Sequence, residues 1–177
     1  MAAVMPGLMQ KIIFLLSVVF LANPCFSQTG GEQIANPNLR NVPDPIGYVN
    51  DFAIVLDSLD RAYLETKLGD FDKQTTNQIV IIILDSDELT EENFDRYALY
   101  ISNYWEVGTK EKNNGLTIVI SPVLRRIRIN TGLGTEKILT DEICKDVLQT
   151  IIVPEFKDGN YFEGLDQATD EFIRLWK

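Results

Sequence analysis

The sequence predicts an α/β domain, with a small mixed sheet covered by helices on both faces. Three observations carry this reading. Residues 78–84 (QIVIIIL) form a β-branched run that is apolar on both faces, as a central strand covered on two sides must be. A second apolar run, residues 116–120 (LTIVI), follows after a helical pattern, and strand–helix–strand implies a right-handed parallel crossover. The alternating residues 126–130 come one short turn later and read as the antiparallel arm of a β-hairpin.

The chain of 177 residues has room for one ordinary domain. Lys11 precedes an apolar run, residues 12–22, which ends in Pro24 and in small residues, Cys25 and Ser27, at the −3 and −1 positions of a cut before Gln28. This is the pattern of a secretory signal peptide over residues 1–27, and the run is shorter than the roughly 20 apolar residues of a membrane span. Residues 28–43 are rich in Gly, Asn, Gln and Pro without periodicity and read as a flexible linker. The folded domain is expected over residues 44–177, in an exported (periplasmic or secreted) chain without a transmembrane segment.

Within the domain, residues 49–53 form a short apolar stretch interrupted by Asp51. Asp57 or Ser58 caps a first helix whose Leu64, Leu68 and Phe71 share one face, ending near residues 75–77. Asp85, Asp87 and Glu88 follow the QIVIIIL strand, and Thr90 caps a second helix with the apolar stripe Phe94, Tyr97, Ala98, Ile101, Tyr104 and Trp105. In the hairpin arm Ile127 and Ile129 point inward, so alternation sends Arg126 and Arg128 to solvent. A third helix is expected over residues 141–153, stopped by Pro154, and a last one from Asn160 or Tyr161 to Trp176.

Composition narrows the chemistry. The formal charge of −10, which becomes −11 when Lys11 leaves with the leader, argues against nucleic acid and anionic lipid as partners. Only Cys144 remains after cleavage, so the exported domain has no internal disulfide. There is no histidine, which excludes Ser-His-Asp catalysis, a histidine base and the usual zinc site; any metal must be held by oxygen. Asp51, Asn114, Glu136 and Asp141 offer carboxylate and amide oxygens from three separated loops, and the expectation is that they meet at one rim of the sheet around a hard cation. Gly115, Gly132 and Gly134 are expected to shape the loops there, because a backbone without Cβ can come close to a ligand. Each also has a plainer role. Asp141 stabilises a helix N-terminus, Asn114-Gly115 is a common turn pair, Glu136 is solvated, and Asp51 enters or caps a turn. Asp85 and Asp87 read foremost as a solvated loop.

The succession Val49-Asn50-Asp51-Phe52-Ala53, QIVIIIL, Trp105 followed by Lys112-Asn113-Asn114-Gly115 and LTIVI, and then RRIRINTGLGTEKILTD resembles the TPM-domain family, which is found in exported bacterial proteins and in the thylakoid lumen of plants. The likeness runs from Asp44 to Trp176. It implies a three-layer α/β/α sandwich with at least four helices, binding of calcium or magnesium, and in some members an acid phosphatase activity on a phosphate ester. It also implies a role for the plant members in turnover of photosystem components. The family's acidic and glycine motifs fall on Asp51, Asn114, Gly115, Gly132, Gly134, Glu136 and Asp141. Two departures stand out: many relatives carry a membrane segment or a glycine-rich tail after the domain and this sequence shows neither, and Leu133 stands where an aromatic is usual. The expectation is a divalent-cation-binding exported domain with acid phosphatase activity. The alternative is a non-catalytic module whose loops the cation orders for a partner protein.

Overall fold

The structure is a computed structural model that describes residues 42–177 and, further upstream, the two-residue strands Leu21–Ala22 (β1) and Phe26–Ser27 (β2). The expected linker lies almost wholly outside the described residues, as does the expected leader apart from β1 and β2. Four further strands, β3 (Val49–Asp51), β4 (Gln78–Ile83), β5 (Gly115–Ser121) and β6 (Arg126–Thr131), lie in that order in one sheet, with β1 and β2 beside β6. β3, β4 and β5 are parallel and β6 is antiparallel to β5. The sheet is therefore mixed, and the stretch around Asp51 is itself a strand rather than a loop.

Helix α1 (Ser58–Thr75) packs on one face, where Leu64, Leu68 and Phe71 meet Ile79, Ile81 and Ile83. Helix α2 (Phe94–Tyr104) packs on the other, with Phe94, Tyr97, Ala98 and Ile101 against Val80, Ile82, Leu84 and Val119. This gives the three layers. Both helices join neighbouring parallel strands stepping the same way along the sheet, yet they lie on opposite faces, so the two crossovers have opposite hands. Only one obeys the right-handed rule. Ile79, Ile81, Ile82 and Ile83 are fully buried, each contributing about 1.5–3 kcal/mol by leaving water.

The helix ends follow their cap residues. The Asp57 carboxylate accepts from the N–H groups of Leu59 and Asp60, and α1 closes on Thr76 in the left-handed region at φ 64°. Thr90 and Asn93 cap one another's backbone, the Thr90 N–H donating to Asn93 Oδ1 (2.8 Å) and the Asn93 N–H to Thr90 Oγ1 (3.3 Å). Residues 91–93 form a turn between this box and α2, which starts at Phe94, whose N–H donates to the Thr90 carbonyl (3.0 Å). Tyr104 departs from the expected stripe; it is 57% exposed and stacks on Tyr100.

Two expectations are corrected. Pro154 does not stop a helix: α3 (Asp141–Val147) passes through a π-helical turn (Leu148–Ile152) into α4 (Val153–Lys157), which carries the proline in its first turn. In the wider turn the Val153 N–H donates to the Leu148 carbonyl five residues back, and the run continues through the proline. Arg126 and Arg128 do not face solvent either. Each is 8% exposed, because α2 covers that side of β6. Arg126 donates to the Asp95 carboxylate (2.8 Å) and lies over the Phe94 ring, while Arg128 donates to Asn130. Helix α5 (Tyr161–Trp176) runs back over the α1 face with Leu165, Ala168, Thr169, Phe172 and Trp176 buried. Among the described residues no helix is long and apolar enough to cross a membrane.

Candidate functional site

The strand register decides what can share a ligand. Asp51 is level with Ile83, Ile120 and Ile127, at the carboxyl ends of the parallel strands, called here the upper rim. Gly115 is level with Gln78, and Leu116 with Thr131, at the lower rim. From Gln78 to Ile83 is five residues, about 17 Å of strand. Asp51 is thus a strand length from Asn114, and from Glu136, whose loop is tied to the Asn114 end. Cation ligands sit about 2.3–2.6 Å from the ion. The expectation that all four oxygens meet at one rim fails, because β5 and β6 carry their loops to the end opposite Asp51.

At the lower rim the motif residues form a backbone knot. The Asn114 side-chain oxygen accepts from the Thr109 N–H (2.9 Å) and hydroxyl (3.1 Å), and its nitrogen donates to the Thr76 carbonyl (2.6 Å) and the Asn77 side chain (3.1 Å). Both acceptor positions are taken, so this amide has none left for a cation. The N–H groups of Gly134 and Thr135 donate to the Asn113 carbonyl (2.9 and 3.2 Å), and those of Gly132 and Glu136 to the carbonyls of Gly115 and Gly132 (2.9 and 3.0 Å). A Cβ at Gly115, Gly132 or Gly134 would collide with the carbonyls of Val107, Asn113 or Lys112. These glycines allow two loops of the chain to touch each other. The approach for which they were read is made by protein backbone, with no ligand needed to explain it. Glu136 is half-buried on this side; Asp141, also half-buried, is the first residue of α3 behind its cap Thr140, whose hydroxyl accepts from the Ile143 N–H (3.4 Å).

At the upper rim Asp51 faces the α1 layer. One carboxylate oxygen, Oδ2, accepts from the Leu56 N–H (2.8 Å), and the other, Oδ1, is buried without a hydrogen-bond partner. A buried carboxylate oxygen with no protein donor is completed by an ordered water or by a cation. Beside it, β3 is held by groups that the sequence did not announce. Glu65 accepts from the Tyr48 and Val49 N–H groups (3.0 and 2.8 Å), and the Tyr48 hydroxyl donates to Asp72 (2.7 Å). That bond, with burial and the nearby charges of Asp72 and Glu65, pushes the Tyr48 phenol up to about 12. Among the described residues no three acids or cysteines converge closely enough to hold a metal together.

Sequence reasoning also missed a buried polar seam between α2 and the β5–β6 hairpin. Asn130 donates to the Ala98 carbonyl (3.1 Å) and Ser102 (2.9 Å), Ser102 shares a 2.6 Å hydrogen bond with Thr117, and Arg128 donates to Asn130 (2.7 Å). The only trace in the sequence was polar residues at every second position of β6, which equally describes a wet strand.

The fold matches solved structures. An N-terminal domain of a Porphyromonas gingivalis protein (P.gingivalis) superposes with a TM-score of 0.62 at 26% identity, over 72% of this chain and 80% of that one. The BA42 protein of the psychrophilic bacterium Bizionia argentinensis gives 0.59 at 18% identity, over 71% and 83%. The N-terminal domain of a Corynebacterium glutamicum protein gives 0.55 at 14%, over 78% and 88%. No protein of curated function matches the sequence. The TPM domain matches residues 49–175, spanning every element from β3 to α5, and with the mixed sheet and the ordered motifs in place the chain belongs to the TPM-domain family.

Proposed function

We propose that this is an exported TPM domain that takes up a divalent cation, calcium or magnesium, at the upper rim through Asp51, and that the ordered rim holds a partner protein of a membrane complex. The observation that carries the reading is Asp51 Oδ1, buried and without a donor at the carboxyl end of a parallel sheet, where open α/β folds place ligands. Leaving such an oxygen unsatisfied costs about 1–3 kcal/mol, a cost a cation removes. With one protein carboxylate, the remaining positions fall to water and carbonyl oxygens, as in magnesium sites and in weak calcium sites. The leader pattern of residues 1–27 supports export. Asn114 and Glu136 lie towards the other rim, and this reading assigns them no part in the site.

A second reading is acid phosphatase activity, favoured by the family resemblance and by a chain whose only candidate acid–base groups in the acidic range are carboxylates. A bound cation would supply positive charge to a phosphate-ester oxygen, and Asp51 would hold the ion. Titration with calcium and with magnesium, followed by NMR, tests the first reading. Shifts concentrated at residues 51–56 that vanish in Asp51→Asn are expected. Binding that survives Asp51→Asn and is lost in Glu136→Gln or Asp141→Asn would move the site to the lower rim and sink the assignment. Phosphatase turnover that needs the metal and disappears in Asp51→Asn would establish the second reading; turnover indifferent to both would be contamination.

A further inference from the structure

On the face of the sheet opposite Asp51, under α2, the upper rim opens into a cavity of about 220 Å³. Its walls are Phe52, Leu84, Leu89 and Tyr97, and its mouth carries the carboxylates of Asp85 and Glu88. Leu84 and Tyr97 are buried parts of the α2-side core, whereas Asp85 and Glu88 are exposed. The cavity is smaller than the roughly 300 Å³ at which drug-sized ligand sites begin, so it suits a single side chain. Its chemistry is asymmetric: apolar and aromatic inside, anionic at the lip, on a chain of net charge −10. That combination matches an extended alkyl stem ending in a positive head, since such side chains lay their methylenes on apolar surface and keep the charge at the boundary. Aromatic walls add attraction for the same head.

We propose that this cavity is a binding site for a lysine or arginine side chain presented by an exposed basic segment of a partner protein. The site does not depend on the cation at Asp51, which lies on the α1 side of the sheet. Glu88 is well placed to act across the cavity: after burial, its charge is the largest contribution holding the Tyr97 phenol up at about 12. Tyr97 therefore stays neutral at any physiological pH, and the lip carries the negative charge.

The test uses pentapeptides of four alanines around a central lysine, arginine, norleucine or glutamate, titrated into the protein and followed by backbone NMR. The lysine and arginine peptides are expected to shift Phe52, residues 84–89 and Tyr97, and to bind more weakly as salt is raised. The Asp85→Asn, Glu88→Gln double variant, altered only at exposed positions, should lose about two- to fivefold in affinity per charge removed. Asp51→Asn should bind the peptides like the wild type. Equal binding of the norleucine peptide would reduce the cavity to an apolar groove. Undiminished binding to the double variant, or shifts confined to other residues, would likewise overturn the proposal.

Discussion

At single positions the structure separates residues that hold the chain together from Asp51, whose buried Oδ1 has no hydrogen-bond partner. Asn114 closes four hydrogen bonds, two to Thr109 within its own loop and two to Thr76 and Asn77, far away in sequence. Asn114→Ala removes these bonds from half-buried and exposed partners and is expected to lower stability by about 1–3 kcal/mol in urea unfolding, with cation affinity unchanged. Gly134→Ala forces the 112–113 backbone away and should cost about 2 kcal/mol or more by the same measurement. The tyrosines report on pH. Tyr48 and Tyr97 titrate at about 12 in the fold, above the ordinary 10, so the folded state favours the neutral phenol. The stability this gives is complete below pH 10 and is lost as pH rises through 12. Denaturation midpoints should therefore fall steeply over pH 10–12, with Tyr48 and Tyr97 among the phenols that ionise late in ultraviolet titration, beside Tyr161, which burial also raises. Tyr48→Phe and Tyr97→Phe together should flatten that fall.

Among the elements, the long helical run from Asp141 to Lys157 and the α2–β6 contact behave differently from simple pattern rules. If the π-helical turn accommodates Pro154, then Pro154→Ala changes stability by less than about 1 kcal/mol. A gain near 3 kcal/mol, the cost of proline inside an α-helix, would show instead that the ring strains the run. The α2–β6 contact rests on Asp95, whose carboxylate takes the Arg126 guanidinium at 2.8 Å with Arg128 3.9 Å away. Asp95 is about a third exposed, which limits the value of the pair. Asp95→Ala should still cost about 1.5–3 kcal/mol, because Arg126 is buried beneath α2 and keeps its charge. Thermal unfolding of the variant at low and high salt checks this, the deficit shrinking as salt screens the wild-type pair.

For the whole molecule, a ligand that binds only the folded state stabilises it by mass action. Calcium or magnesium at a hundred times its dissociation constant should raise stability by about 2.7 kcal/mol, and Asp51→Asn should abolish the rise in a melting experiment. No change in the wild type would remove the cation from the account. The separation of the rims also means that a lower-rim variant such as Glu136→Gln must leave this stabilisation intact.

The sequence by itself determined the layers. Short β-branched apolar runs bounded by turn residues formed the central strands β4 and β5, the apolar stripes of α1 and α2 packed on the sheet, and Asp57 and Thr140 cap α1 and α3 with their side chains. It also placed the family, because an ordered set of motifs survives without any knowledge of contacts. Only the tertiary structure decided which of those motifs meet. A strand's pattern repeats every two residues and carries no record of which end its neighbour's loop will reach, so the separation of Asp51 from Asn114 and Glu136 appeared only with the register. Alternation likewise tells one face of β6 from the other but not what covers each. Arg126 and Arg128 were legible as polar, and their burial was set by α2, whose packing depends on residues more than twenty positions away in the chain.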